Sequence, residues 1–384
     1  MVNNILIFVF CVITGVQSYT SLTGLRRVIK NPFRNRPSMN RLVQPKMTFN
    51  NMTEQDKYDL HWYVIGEPED FPVDRPKKAM VWGNNYVVWR TSNGSFVGLM
   101  DACPHKGASL SGGNIVNNNI MCPYHGYEFN SSGCLDKVPG LCFRPDSHYD
   151  VEKFDVTEKD GWVYLNTYNY KVARKLHANS TEIPCKFEEN IFQEEDVRNG
   201  SRVVRLNMGF KCFSRILSEN SLDVMHIAFV HTFGNAKNPS PTSEDPPKQM
   251  GKYHYKTSYE YQSGERSMAR RMFGVRGLRI ENEFVLPHTT VARVFFGDFV
   301  STVVTFALPV NENESKLFVK TYRNFWENTM GDIVSRNMMY NTMLQDRDIV
   351  ENIDTRFQEG NYNMKFDKLQ NTYKTLYRRL IERW

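Results

Sequence analysis

Two short segments each set a cysteine close to a histidine. Cys103-Pro104-His105 is the first and Cys122-Pro123-Tyr124-His125-Gly126 the second, with sixteen residues between His105 and Cys122. Proline follows both cysteines and glycine stands near both histidines, a repetition that four unrelated core residues do not explain. Two metal chemistries are compatible with one thiolate and one imidazole per loop. A tetrahedral zinc takes two Cys and two His, but finger-type sites pair like with like, each pair on its own element. A [2Fe–2S] cluster of mixed ligation needs two thiolates on one iron and two imidazoles on the other, which two equivalent loops supply. The mixed composition of both loops favours the cluster, with Cys103, His105, Cys122 and His125 as its expected ligands.

A second constellation lies within Glu219–His231, where Asn220, Asp223, His226 and His231 form the pattern Asn-x2-Asp-x2-His-x4-His. On an α-helix the first three follow one another at i, i+3 and share a face. His226 and His231 are five apart, about 140° around an ideal helix. Both therefore reach one metal only where the helix ends or widens between them, and Phe233-Gly234-Asn235 predicts such an end nearby. Two histidines alone are more often core or surface residues than ligands. With Asp and Asn in register, downstream of a cluster motif, the weighing reverses. Iron centres that activate dioxygen use two His and one carboxylate and keep positions open.

The chain resembles the Rieske non-haem iron oxygenase family (aromatic-ring-hydroxylating type). The resemblance rests on Trp62-Tyr63, Pro76, Arg90, Cys103-Pro-His105, Gly107-Ala108, Leu110-Ser111, Gly113, Cys122-Pro-Tyr-His125-Gly126 and Gly133. Within the family it is similar to the pheophorbide a oxygenase and chlorophyllide a oxygenase group, over about residues 60–380. The resemblance implies an oxidoreductase that uses a [2Fe–2S] cluster, a mononuclear Fe(II) and O2. It also implies a carboxylate ligand from a late helix, in Leu344-Gln345-Asp346-Arg347-Asp348-Ile349-Val350-Glu351. Asp346 matches the family position and shares an apolar stripe with Met343 and Val350; Asp348 is the runner-up and Glu351 third. A solvated charged face is the competing reading, and it suits Arg347 and Asp348. By the same resemblance Asp223 is the electron bridge between a cluster histidine of a neighbouring subunit and an iron-ligating histidine, which implies a homotrimer. Asn220 is then a neighbour behind the ligands. A ferredoxin or similar reductase is the implied donor, and a hydrophobic small molecule the substrate: a chlorophyll-derived tetrapyrrole first, a sterol of the cholesterol 7-desaturase branch second.

The elements that must hold these residues can be read from pattern. Trp62–Ile65, Tyr86–Trp89 and Phe96–Leu99 are β-branched or aromatic runs separated by Gly83-Asn84-Asn85 and Ser92-Asn93-Gly94. Strand signals return at Arg202–Leu206, Ile280–Leu286, Val291–Phe296, Ser301–Leu308 and Leu317–Tyr322, followed by a helical stretch over about Thr329–Phe357. The expected fold is α+β: an all-β Rieske domain over 60–170, then a helix-grip catalytic domain over 171–384, an antiparallel sheet curled over a helix. Phe210, Met225, Phe229, Phe284 and Phe295 are candidate pocket residues or plain core.

Composition narrows the remaining choices. With 384 residues, 41% hydrophobic and 23% charged, the chain is neither disordered nor a disulfide scaffold. Cys134, Cys142, Cys185 and Cys212 read as small hydrophobes. All seven basic residues of 1–53 face no acidic partner there; removing them from the 48 leaves 41 basic against 42 acidic residues. That balance gives no nucleic-acid surface. Ile5–Val16 is twelve apolar residues, short of the roughly 20 that span a bilayer, and Val16-Gln17-Ser18 resembles a cleavage site. Residues 1–18 thus read as a signal peptide and 19–53 as a transit peptide. Together they resemble a bipartite leader to a plastid, and the alternative is an uncleaved anchor on the endoplasmic reticulum. Pheophorbide-type members carry a hydrophobic C-terminal anchor and a nearby Cys-x-x-Cys; the Asn371–Trp384 segment instead reads as an amphipathic basic helix, which leaves membrane association open. Rival readings are an electron-transfer Rieske protein without catalysis and a zinc-binding regulator.

Overall fold

The computed structural model describes residues 54–140, 149–168, 202–231, 239–262, 274–354 and 364–381, with 194, 270 and 356 placed singly. The expected leader segments, Cys142, Cys185 and the Phe233-Gly234-Asn235 turn lie outside the described residues.

Among the described residues, eleven short strands form three small antiparallel sheets in the first part of the chain. β1 (Trp62–Gly66), β10 (Val156–Lys159) and β11 (Trp162–Asn166) make one sheet, with β11 in the middle. β2 (Lys77–Val81), β3 (Asn84–Arg90), β4 (Phe96–Met100) and β9 (Lys153–Phe154) make the second. β5 (Asn114–Val116), β6 (Asn119–Met121), β7 (Glu128–Phe129) and β8 (Leu135–Lys137) make the third, which carries the second Cys/His loop between β6 and β7. The expected runs become β1, β3 and β4 because their apolar side chains are buried almost completely, Trp89 and Leu99 among them.

Among the described residues, the second part is one eight-stranded antiparallel sheet over three main helices. Its order is β12 (Arg202–Phe210), β19 (Ser315–Arg323), β18 (Phe299–Pro309), β17 (Thr289–Phe296), β16 (Gly277–Val285), β15 (His254–Gln262) and β13 (Ser243–Glu244), with β14 (Lys248–Gly251) paired to β15. Alternation along each strand sends side chains to opposite faces. Val291, Val304, Phe306 and Phe318 share one core with Tyr63, Trp162 and Tyr164 of the first part. Trp162 meets Phe306 and Phe318 edge-on, each at 5.6 Å between ring centres. Their sequence neighbours face the other way, where Ala307, Leu317 and Val319 pack with Ile216, Leu217 and Met343. The sheet therefore lies between most of the first domain and the helices, with Leu60 and Trp82 reaching the helical side.

Those helices are α2 (Ser214–Leu222), α4 (Thr329–Val350) and α5 (Lys368–Leu380); α1 (Glu54–Asp59) opens the described chain, and α3 (Ile227–Val230) is a single turn. α4 begins where the Asn328 side chain accepts the Gly331 N–H at 2.9 Å, an N-cap. Asp332 in its first turn pairs with Arg202 and Arg323. The helix stops at Val350, earlier than expected. There Glu351 turns its carboxylate to the Lys211 N–H at 2.8 Å, and the Asn352 side chain donates to the Asp348 carbonyl at 2.9 Å. The amphipathic C-terminal segment is α5, and its apolar face, Leu369, Tyr373, Leu376, Tyr377 and Leu380, packs with Leu222 and Phe284. Among the described residues no helix is long and apolar enough to cross a membrane.

Candidate metal centres

The two Cys/His loops have the same backbone. In the first, the Cys103 N–H donates to Ala108 O at 2.8 Å and the Gly107 N–H to Cys103 O at 2.7 Å. In the second, the Cys122 N–H donates to Tyr127 O at 2.8 Å and the Gly126 N–H to Cys122 O at 3.1 Å. Each turn closes through a glycine four residues after the cysteine, at φ +73° for Gly107 and +70° for Gly126, a region other residues enter only at a cost. The loops face each other so that the His105 and His125 rings lie 4.6 Å apart. The Tyr127 ring stacks parallel on His105 at 4.8 Å. Asp101 braces the approach: its carboxylate accepts the Ser111 N–H at 2.7 Å and the Ser109 and Ser111 hydroxyls at 2.6 and 2.7 Å. Both cysteines are buried while His125 and Tyr124 are exposed. Burial pushes the Cys103 thiol up, and Cys122 beside it adds to the effect. Two neighbouring buried sulfurs behind one half-buried and one exposed imidazole, with His105 Nδ1 buried and unbonded, fit a mixed-ligand cluster.

The second constellation does not lie on one helix. α2 ends at Leu222; Asp223 is extended (ψ 120°), and the chain re-enters helix only at Ile227. The Asp223 side chain causes the break, because its Oδ1 accepts the Met225 N–H at 2.7 Å and the His226 N–H at 3.4 Å. Such local side-chain bonds compete with the helix ladder. His226 and His231 consequently flank the one turn of α3, and their Nε2 atoms face each other at 3.1 Å. Asp346, projecting from α4, sets Oδ1 at 3.5 Å from both Nε2 atoms. These three side chains are the one group of its kind among the described residues whose ligand atoms converge. Ligand atoms about 3 Å apart are the spacing expected around one ion with bonds near 2.1 Å. Asp346 Oδ1 is buried without a hydrogen bond, so the arrangement fits a cation held by two imidazoles and one carboxylate.

The imidazoles differ electrostatically. Burial lowers the His226 pKa, but the Asp346 carboxylate and the Asp223 charge outweigh it and the net shift is upward. For His231 burial prevails over Asp346, and the pKa is lowered. Behind them, His226 Nδ1 lies 3.9 Å from Asp223 Oδ2, and His231 Nδ1 lies 3.2 Å from Gln345 Oε1. Asn220 offers its carbonyl to the Asp223 N–H at 3.2 Å, and no side-chain bond joins it to the three converging groups. Asp348 is exposed and Glu351 is turned to Lys211, so neither joins them. Of the pocket candidates, Phe210 and Phe284 are core and Phe229 is 67% exposed. Sequence reading passed over Gln345, whose signal was only its place beside Asp346. It also passed over Tyr127 and Asp101, which carry no ligand-type pattern.

Comparison with known proteins agrees with this geometry. Residues 61–145 match the Rieske [2Fe-2S] domain, and residues 210–383 match the vanillate O-demethylase oxygenase C-terminal domain. Chlorophyllide a oxygenase of Chlamydomonas reinhardtii, a chloroplastic protein, is 30% identical over 177 residues, 44% of this chain and 24% of the relative. Pheophorbide a oxygenase of Oryza sativa subsp. japonica, also chloroplastic, is 24% identical over 292 residues, 70% of this chain and 50% of the relative. The chain thus spans between a quarter and a half of these relatives. Dicamba monooxygenase bound to dicamba has the same fold, with a TM-score of 0.66 at 19% identity over 84% of this chain and 97% of that one. Two equivalent Cys/His loops thus lie in a Rieske [2Fe-2S] domain, and the converging His, His and Asp lie in a vanillate O-demethylase oxygenase C-terminal domain.

Proposed function

We propose that this protein is an oxygenase that oxidises a chlorophyll-derived tetrapyrrole in a plastid. The observation that carries the oxygenase reading is the convergence of His226, His231 and Asp346 in a chain that also holds the two Cys/His loops. Cys103, His105, Cys122 and His125 hold the [2Fe–2S] cluster, and His226, His231 and Asp346 hold Fe(II). When bound, the cluster supplies single electrons and the iron, with its open positions, supplies the site at which O2 is activated. The exposed edge at Tyr124 and His125 suits a docking ferredoxin or reductase. Asp223, 3.9 Å behind His226, is suited to orient that imidazole and to stabilise its Nδ1 proton as charge arrives. The sheet lies between the first domain and the three converging groups of the same chain, which favours electron delivery between copies in a homotrimer. The tetrapyrrole and the plastid are supported by the two chloroplastic relatives named above.

The test is to purify the full chain anaerobically, count iron and labile sulfide, record the EPR spectrum after dithionite, and then assay chlorophyllide and pheophorbide with a ferredoxin donor. About three irons and two sulfides per chain, with turnover of either pigment, is the expected result. About two irons would make the chain an electron carrier, and zinc without sulfide would overturn both readings.

A further inference from the structure

The two histidines of the iron-binding group present the same nitrogen to its centre but have different groups behind them. Both Nε2 atoms face inward, 3.1 Å apart, with Asp346 Oδ1 at 3.5 Å from each. An imidazole that binds a metal through Nε2 carries its proton on Nδ1, and what accepts that proton fixes the ring's tautomer and angle. For His231 the acceptor is Gln345 Oε1 at 3.2 Å. His226 Nδ1 is buried with no hydrogen bond, its nearest anion being Asp223 Oδ2 at 3.9 Å. Gln345 and Asp346 are consecutive on α4, so one helix delivers a ligand to the centre and a brace to the back of a ligand on another segment.

We propose that Gln345 is a positioning residue: its amide oxygen holds the His231 Nδ1 proton, locking this ring as a neutral Nε2 ligand. The inference rests on His226, His231 and Asp346 forming one metal site. An amide accepts the proton's hydrogen bond without competing for the proton, as a carboxylate would. The group therefore has one ligand backed by a neutral acceptor and one backed by an anion. Charge changes at the metal are then felt mainly along His226 and Asp223, while His231 serves as the fixed point.

The test uses the full-length protein with its second metal removed and replaced by Co(II). In wild type, two hyperfine-shifted N–H protons are expected in the NMR spectrum, that of His231 exchanging slowly with water. Gln345→Leu and Gln345→Met are expected to weaken Co(II) affinity about 10- to 100-fold and to make that N–H exchange fast, with the cluster EPR signal unchanged as the control for folding. Gln345→Glu, which keeps an acceptor, is expected to restore slow exchange and to shift the Co(II) absorption bands. His231→Ala separates the two levels. If it abolishes tight Co(II) binding while both Gln345→Leu and Gln345→Met match wild type in affinity and exchange, the brace is overturned. If His231→Ala itself binds Co(II) as wild type does, the three-residue site is wrong and the inference falls with it.

Discussion

The cluster loops and the His/His/Asp group are assembled by opposite means. Each loop is closed by its own backbone bonds within six residues, around a glycine at positive φ, and the pair is brought together by the short hairpins of the first domain. The second group has almost no local closure. Its histidines flank a single helical turn, and its carboxylate arrives from a helix more than a hundred residues later. A site closed locally depends on turn chemistry, whereas a site closed at long range depends on the packing that positions its helices. The two should therefore fail under different perturbations.

The largest expected effect is a clean separation. Asp346→Ala should abolish oxygenase turnover and lower iron from about three to about two per chain, leaving the reduced-cluster EPR signal intact. Cys122→Ser should remove labile sulfide and that signal while Co(II) still binds at the second group. Loss of both centres in either variant would show that they are not independently built. Trp162 joins the two parts through Phe306 and Phe318, so Trp162→Ala should cost about 3–5 kcal/mol in denaturant unfolding. Because the core is shared, far-UV ellipticity and cluster absorbance should be lost in one transition; two transitions would break the picture of a single core.

A pH prediction sharpens the same point. His288 lies buried at the junction, stacked on Tyr63 at 5.1 Å, with neither ring nitrogen hydrogen-bonded. Burial pushes its pKa from 6.5 down to about 3. The unfolded chain takes up this proton below pH 6.5 and the folded chain does not until about pH 3. The junction therefore keeps its full stability above pH 6.5 and loses about 1.4 kcal/mol per pH unit as the pH falls through that window. His288→Phe should flatten this part of the profile in urea titrations; an unchanged slope would assign it to other groups. Smallest, Gly107→Ala should destabilise by about 1 kcal/mol, the cost of its positive φ alone. Gly126→Ala should cost more, because its Cβ would lie 3.1 Å from Pro139 Cγ whereas that of Gly107 meets nothing within 4 Å; equal losses in melting temperature would show that Pro139 gives way.

What could be read in advance follows the same division. The cluster candidates set Cys-Pro before a nearby His twice within a few dozen positions, so the pattern itself points to the pairing. Strands such as β3 and β18 were visible because β-branched and aromatic residues run together. β15 was missed although tyrosines stand at alternate positions 253, 255, 259 and 261, because lysine, threonine and serine between them dilute the apolar signal. The break at Asp223 was not legible either: an i, i+3 series looks helical whether or not its aspartate has turned its carboxylate back onto two N–H groups. Asp346 was marked by the family resemblance, with the stripe it shares with Met343 and Val350 as support. The contact of Gln345 with His231 depends on how α4 lies against α3, which no local pattern encodes.

The two-sided sheet also bears on how such a protein can change over generations. Along β18, Val304 and Phe306 belong to the core shared with the first domain, while Val303 and Ala307 face the helices and the metal-binding side. Adjacent codons are thus under unrelated selection, one set tied to domain cohesion and the other open to drift in what the enzyme accepts. Single substitutions at the helix-facing positions can explore new substrates without disturbing the cluster domain. A one-residue insertion would exchange the two sets at once, so this strand should diversify by substitution and almost never by length.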